Sequence, residues 1–143
     1  MTYNEPITFG RKGSVTNLEC RGIDLSEHEV RSWTREPVAE IDIHLPLARQ
    51  DVVVQFEASP FLVPDRVPAQ NVFVFLSGLF VANFTLKVHA VRSFPVSRSA
   101  VSSRSVCLTL VIPTATSPLA LNLSGDVWEL GICLTSITFK TAS

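Results

Sequence analysis

Apolar and polar residues alternate with a period of two along several short segments of this chain. In EIDIHLP, residues 40–46, Ile or Leu occupies every second position up to the closing proline, and the residues between them are acidic or histidine. The segments DVVVQFEA, residues 51–58, and SVCLTLVIP, residues 105–113, follow a similar pattern. Because successive side chains of a strand point to opposite faces, this period is typical of strands that bury one face. We therefore predict a β-strand in each segment.

The most apolar part of the chain, NVFVFLSGLFVANFTLKV, spans residues 71–88. It predicts two strands joined at Ser77-Gly78 in a hairpin. The alternate residues Val72, Val74 and Leu76 are expected to face the core. Phe73 and Phe75, which alternate with them, then face outward and have to be covered by another surface.

Further strands are predicted near both ends of the chain. LGICLTSITF, residues 130–139, predicts the last strand, with a β-bulge near Thr135 because the apolar phase shifts there. Weaker strand patterns occur in EPITFG, residues 5–10, and in VTNLECRGI, residues 15–23. SEHEVRSW, residues 26–33, predicts one or two helical turns with its first serine as the N-cap.

Two segments carry little pattern. SPFLVPDRVPAQ, residues 59–70, has three prolines and is expected to wrap an edge of the sheet, and SFPVSRSAVSSRS, residues 93–105, is expected to be an exposed loop. About eight short strands separated by Pro and Gly turns are typical of an antiparallel sandwich. The prediction is an all-β fold: an antiparallel, jelly-roll-like β-sandwich with at most one short helix.

The composition restricts the classes of function. The chain has 143 residues, which fits a single domain, 1–143, and its formal net charge of -1 argues against a nucleic-acid or anionic-membrane surface. Hydrophobic residues make up 46% and charged residues 17%, below the usual quarter. Part of the surface is therefore expected to be apolar, and self-association as a homodimer would cover it.

Cysteine usage and the apolar segments bear on location. The N-terminal residues lack the apolar region of a secretory signal, and the longest apolar segment is too short and interrupted for a membrane helix. We therefore expect a cytoplasmic protein with no membrane insertion. Cys20, Cys107 and Cys133 are odd in number and form no CxxC pair, which indicates buried thiols, not disulfides or a zinc site.

No catalytic constellation stands out in the sequence. The chain has neither Gly-x-Ser-x-Gly nor a phosphate loop, and its serines have no recognisable His-Asp partners. Its histidines lie in three separate segments and would have to converge to hold a metal: His28, His44 and His89. Glu29, Glu57 and Asp126 could meet as glycosidase carboxylates, but 13 acidic residues always offer such a trio. We predict no enzyme, catalytic residue, metal or cofactor.

The two tryptophans are the most suggestive residues. An indole face packs against the C–H face of a sugar, while carboxylates and amides bind the sugar hydroxyls. Acidic residues lie close to both indoles, and an amide ends the proline-rich segment. The predicted ligand-binding residues are Glu29, Trp33, Gln70, Asp126 and Trp128. The alternative is that both tryptophans close the ends of the sandwich, because Trp is highly buried on average.

The order of three longer segments resembles a known family. GIDLSEHEVRSWTREPVAEIDIHLP, ASPFLVPDRVPAQNVFVFLSGLFV and IPTATSPLALNLSGDVWELGICLTSITF follow one another across residues 22–139. They resemble an accessory β-sandwich module found beside or fused to bacterial glycosyltransferases of surface-polysaccharide gene clusters. The matching positions are Glu29, Trp33, Thr34, Pro60, Phe61, Gln70, Val72, Val74, Gly78, Pro113, Ala115, Ser117, Pro118, Asp126, Leu130 and Gly131. The chain departs from the pattern at Ile23, where the family has Trp, at Ser77, where it has Asn, and at Trp128, where it has Arg.

The resemblance implies a non-catalytic sandwich in a carbohydrate context. The predicted function is glycan binding or assembly in polysaccharide metabolism. The alternative is a structural or protein-interaction module that docks to a partner such as a glycosyltransferase and binds no sugar. A glycoside-active enzyme is a distant third hypothesis.

Overall fold

The computed structural model describes residues 2–141, which form two five-stranded sheets and two single turns of 3-10 helix. The strands are β1 (Ile7–Thr8), β2 (Cys20–Arg21), β3 (Ser32–Trp33), β4 (Val38–His44), β5 (Val52–Pro60), β6 (Gln70–Leu76), β7 (Leu79–Leu86), β8 (Ala90–Val96), β9 (Ser105–Val111) and β10 (Ile132–Thr141). The 3-10 turns are Ser14–Asn17 and Arg98–Val101. Within residues 2–141 there is no α-helix.

The two sheets have a jelly-roll topology. Sheet A has the order β1-β10-β5-β8, with β3 also paired to β10, and sheet B has the order β2-β4-β9-β6-β7. From β4 onward the chain crosses between the sheets at every connection except the β6–β7 hairpin. All pairs are antiparallel. This confirms the predicted all-β, jelly-roll-like sandwich.

The core lies between the sheets and contains the residues that the alternation assigned to it. Ile41 and Ile43 on β4, and Val72, Val74 and Leu76 on β6, are at most 1% exposed. Each such side chain stabilises the fold by about 1.5–3 kcal/mol through burial. The core therefore holds the two sheets together and leaves their outer faces to carry other functions.

Two local irregularities were predicted correctly. The register of β10 on β5 shifts between Leu134 and Ser136, which is the bulge expected near Thr135. Ser77 and Gly78 join β6 to β7 with φ of 48° and 84°, the left-handed pair that a tight hairpin turn uses. The bulge shifts the alternation by one residue, so the apolar side chains of β10 that follow it face the core again.

Residues 26–33 were predicted as helical turns, and this was wrong. They form bends followed by β3. Asp24 accepts hydrogen bonds from the backbone N–H groups of Ser26 and Glu27, at 3.3 and 3.1 Å. An aspartate that bonds its own following backbone stabilises a turn at the expense of a helix.

Residues 93–105 were predicted as an exposed loop, and this was wrong at both ends. Residues 93–96 belong to β8, Arg98–Val101 is a 3-10 turn, and β9 begins at Ser105. Pro95 masked the strand in the sequence, but β8 is an edge strand, where proline is tolerated. The proline-rich segment 59–70 carries the chain from sheet A to sheet B.

Candidate functional site

Buried hydroxyls orient the segment that carries the first tryptophan. Ser32 and Thr34 are fully buried and accept hydrogen bonds from the backbone N–H groups of Gly10 and Ile132, at 2.8 and 3.1 Å. Because side chains alternate along an extended chain, the intervening Trp33 lies on the outer face of sheet A. It is half-buried there.

Phe61 supports Trp33 from the far side of β10, just after the end of β5. The two rings meet edge to face, with centroids 6.2 Å apart and an interplanar angle of 87°. Phe61 follows β5, and its backbone N–H donates to the carbonyl of Gly131 at 2.8 Å. Edge-to-face packing of this kind fixes the orientation of an aromatic ring.

The second tryptophan is reached through Arg35. The guanidinium carbon of Arg35 lies 5.5 Å from the centroid of the Trp128 ring, a cation–π arrangement. The backbones of the two segments are also joined, since Glu129 N–H donates to the Arg35 carbonyl at 3.0 Å. We call Trp33, Arg35, Phe61 and Trp128 the aromatic rim.

Asp126 shapes the loop that leads into the rim. Its Oδ1 accepts the backbone N–H of Trp128 at 3.0 Å, which makes an Asx turn. The Ser124 hydroxyl in turn accepts the Asp126 N–H at 3.2 Å. Asp126 is exposed, so its carboxylate remains open to solvent beside Trp128.

Glu29 lies in a groove on the outer face of sheet A. It forms ion pairs with Arg11 at 2.8 Å and with Lys12 at 3.3 Å. The groove has hydroxyl and carboxylate side chains from β1, β5 and β10 along its walls, and its polar lining consists of Thr8, Lys12, Glu29, Glu57, Thr135 and Ser136. The acids Glu29 and Glu57 are thus brought to one groove.

Gln70 does not lie where the sequence prediction placed it. Its side chain is fully buried, its Nε2 donates to the Phe61 carbonyl at 2.8 Å, and its Oε1 accepts the Thr114 hydroxyl at 2.6 Å. An amide with both ends bonded inside the protein offers nothing to a ligand. Gln70 instead anchors the backbone of Phe61, a member of the rim.

Sequence reasoning missed Arg35, Phe61 and a hydrogen-bonded chain of Ser59, His89 and Glu57. Glu57 lies in the predicted strand of residues 51–58, but Ser59 was assigned to the irregular proline-rich segment, so the face that they share on β5 was not recognised. His89 comes from the connection before β8, a strand that the sequence prediction missed. No group of three or more His, Cys, Asp and Glu side chains in the described part of the chain is placed to hold a metal ion.

Cys133 belongs to the same outer face, although its side chain is covered. It pairs with Trp33 on one side and with Ser59 on the other, so the three residues form one cross-strand row. Cys133 is 4% exposed, and burial raises the pKa of its thiol to about 11. This row places Ser59 two strands from Trp33.

The outer face of sheet B is divided between charge and aromatic rings. On β2 and β4, the Arg21 guanidinium bonds Asp42 and Glu40 at 3.3 Å and lowers the pKa of Asp42. On β6 and β7, Phe80 packs on Phe73 and Phe75, with centroids 6.5 and 5.7 Å apart. The aromatic half reaches the edge strand β7.

Comparisons with known proteins show the fold. No family model matches the chain, and no curated protein sequence is significantly similar to it. A family 35 carbohydrate-binding module from Clostridium thermocellum has a TM-score of 0.57 at 6% identity, over 96% of this chain and 99% of that one. The C-terminal CBM6 of a laminarinase from Zobellia galactanivorans has a TM-score of 0.54 at 10% identity, over 96% and 100%. A CBM36 domain of a multidomain xylanase, from a Trinervitermes trinervoides hindgut metagenome, has a TM-score of 0.53 at 7% identity, over 97% and 98%.

The chain therefore shares the β-sandwich of carbohydrate-binding modules. At these identities the similarity concerns the fold and not any individual residue. In residues 2–141 no helix is long and apolar enough to cross a membrane.

Proposed function

We propose that this chain is a carbohydrate-binding module and that the aromatic rim, which is itself non-catalytic, is its glycan site. The observation that carries the proposal is the series of half-buried rings along one end of sheet A, with Trp33 braced by Phe61 and Trp128 by Arg35. The shared fold with carbohydrate-binding modules supports it.

The rim offers the groups that a pyranose needs. Exposed indole surface stacks on the C–H face of the sugar, the Arg35 guanidinium donates to its hydroxyls, and the Asp126 carboxylate accepts from them. Glu29 lies in the groove on the same outer face of sheet A, where it adds a carboxylate for a longer glycan. In this proposal Gln70 acts only through Phe61, and the rim binds sugar without converting it.

Substitution of the tryptophans tests the proposal. Trp33→Ala and Trp128→Ala are each expected to weaken glycan binding by about 1–3 kcal/mol, by analogy with base–aromatic stacking. A glycan array on the unaltered protein identifies the sugar, and calorimetric titration of both variants measures the loss. Phe80→Ala, an exposed ring on sheet B, is the matched control and is expected to bind normally.

Thermal unfolding separates binding from folding in the same variants. An exposed stacking residue leaves the melting temperature nearly unchanged, whereas removing a core tryptophan costs about 3–5 kcal/mol of stability. If both variants melt far below the unaltered protein, the tryptophans belong to the core and the rim is not a glycan site.

We also propose a homodimer formed through the aromatic half of sheet B. The exposed Leu79 and Phe80 continue the aromatic cluster to β7, an eight-residue edge strand without a charged residue. Edge strands without charges readily pair with another strand, and an antiparallel pair of identical strands satisfies two-fold symmetry. If the same face docks a bacterial glycosyltransferase instead, the isolated protein is a monomer.

The proposal also covers the biological process and the cell compartment in which the module acts. We take residues 1–143 as one module that acts in bacterial polysaccharide metabolism, as the sequence resemblance implies. Three free thiols, at Cys20, Cys107 and Cys133, favour a reducing, cytoplasmic compartment.

A further inference from the structure

A serine, a histidine and a glutamate form a hydrogen-bonded chain on the outer face of sheet A. Ser59 Oγ lies 2.5 Å from His89 Nδ1, and His89 Nε2 lies 2.9 Å from Glu57 Oε2. Glu57 and Ser59 project from one face of β5, and His89 reaches them from the β7–β8 connection. The side chains of His89 and Glu57 are 51% and 38% exposed, so solutes can reach the hydrogen-bonded Ser-His-Glu row.

The hydrogen bonds assign a role to each group. Glu57 is an acceptor, so with a neutral imidazole the proton of His89 lies on Nε2 and Nδ1 is left as the base. Nδ1 then accepts the hydroxyl proton of Ser59. A nucleophile bonded to a base that a third group orients is the arrangement of serine hydrolases. In serine hydrolases Nε2 faces the serine and Nδ1 faces the acid. Here Nδ1 faces Ser59 and Nε2 faces Glu57, and the ring still acts as a base at one nitrogen and as a donor to the acid at the other.

We propose that Ser59 is a nucleophile for acyl transfer and that its substrates are esters of sugar hydroxyls. This goes beyond the proposed function, and only the choice of sugar esters rests on it. Ser59 pairs with Cys133, which pairs with Trp33, so two strand spacings, about 10 Å, separate Ser59 from Trp33 of the rim. A glycan stacked on Trp33 would present its O-acyl groups near Ser59.

The reaction balances with water as the only co-reactant. Ser59 Oγ forms a bond to the acyl carbon while its proton passes to His89 Nδ1. The bond from the acyl carbon to the sugar oxygen then breaks, and that oxygen takes the proton. Water next gives a proton to Nδ1 and its hydroxide to the acyl carbon. The bond from the acyl carbon to Ser59 Oγ then breaks, Oγ takes the proton back from Nδ1, and a carboxylic acid leaves. Glu57 is a positioning residue, because it holds the imidazole and does not touch the ester.

Covalent labelling with a fluorophosphonate tests the nucleophile directly. Phosphonylation of Ser59 expels fluoride and is read by intact mass and peptide mapping. Ser59→Ala is expected to abolish labelling, and His89→Gln to slow it about 100-fold, within the usual contribution of a general base. The matched control is Ser93→Ala, which removes a hydroxyl from β8 on the same outer face and is expected to label normally.

Glu57 needs a readout that separates positioning from folding. Glu57→Gln keeps an acceptor oxygen for His89 Nε2 and is expected to retain most of the labelling rate. Glu57→Ala is expected to lower kcat for 4-nitrophenyl acetate about tenfold or more with KM unchanged. Equal rates in Glu57→Ala and the unaltered protein would contradict the positioning role.

The outcomes separate this proposal from glycan binding. Labelling needs no sugar, so a blank glycan array and absent labelling are independent failures. Labelling that persists in Ser59→Ala, or that is absent from the unaltered protein, overturns the nucleophile. Acetate release from partly O-acetylated oligosaccharides supports sugar esters, and turnover of 4-nitrophenyl acetate alone overturns that substrate class.

Discussion

At the residue scale, hydrogen-bond partners decide what a polar side chain can do. Gln70 and Asp126 were predicted for the same role, yet Gln70 is fully buried with its amide bonded at both ends, while Asp126 is exposed. A buried amide whose bonds are satisfied stabilises the fold, and an exposed carboxylate is free to bind. The two residues therefore belong to different layers of the same end of the sandwich.

Gln70→Leu is expected to destabilise the protein by about 1–3 kcal/mol, because it leaves the Phe61 carbonyl and the Thr114 hydroxyl without their partner. Urea unfolding measures this loss. Asn71→Ala is the control, since its side chain bonds Thr85 on the surface, and its cost is expected to stay within about 0.5 kcal/mol. A Gln70→Leu variant as stable as the unaltered protein would show that the amide is dispensable.

At the element scale, two glycines differ in what surrounds them. Gly78 ends the β6–β7 turn with open space around it, whereas Gly10 lies against the backbone of residues 29–30. Both have positive φ, of 84° and 87°. Gly10 thus fixes the position of the Glu29 loop against β1, and Gly78 only closes a hairpin.

Gly78→Ala is expected to cost about 1–2 kcal/mol from its left-handed φ alone. Gly10→Ala carries the same cost, and its Cβ would meet the Glu29 carbonyl oxygen, so it is expected to lose about 1–3 kcal/mol more. Chemical denaturation of the two variants provides the comparison. Equal losses would mean that the Glu29 loop moves aside freely.

The attachment of β2 to β4 is expected to depend on pH. The Arg21 guanidinium lowers the pKa of Asp42, so this ion pair stabilises the fold above the unfolded carboxyl value of about 3.9 and loses its effect as pH falls below it. Arg21→Gln is therefore expected to lower the melting temperature at pH 7, and the difference is expected to shrink below pH 4. Arg92→Gln is the control, since Arg92 donates only to backbone carbonyls, and its effect should not vary with pH in this range. A pH-independent effect of Arg21→Gln would exclude the Asp42 linkage.

At the scale of the whole molecule, the two outer faces have different characters. Sheet A carries the rim, the groove and the Ser59–His89–Glu57 chain, whereas sheet B carries exposed aromatic residues that end at an uncharged edge. An apolar face beside an open edge is typical of an interface. The proposed dimer would cover sheet B and leave the glycan site of sheet A accessible.

Phe80→Glu is expected to convert the dimer to a monomer, because it places a charge at the centre of the aromatic cluster. Sedimentation velocity at micromolar concentration measures the change. Val91→Glu, which alters an exposed apolar residue of β8 on sheet A, is expected to leave the dimer intact. An unaltered protein that sediments as a monomer contradicts the homodimer and leaves the face free for another partner.

Local sequence pattern was enough to predict most of the long strands, the hairpin turn, the bulge and the core face of those strands. These features depend on local alternation and turn chemistry, which residues a few positions apart already contain. It failed at β8, where Pro95 obscured an edge strand, and at residues 26–33, where Asp24 stabilised a turn. Which residues share a surface became known only from the folded structure. Trp33 and Cys133 are a hundred positions apart in the chain, and Ser59 meets His89 across two strand connections. Strand pairing within sheet A brings such residues together, and no local pattern records the register of strands so distant in sequence.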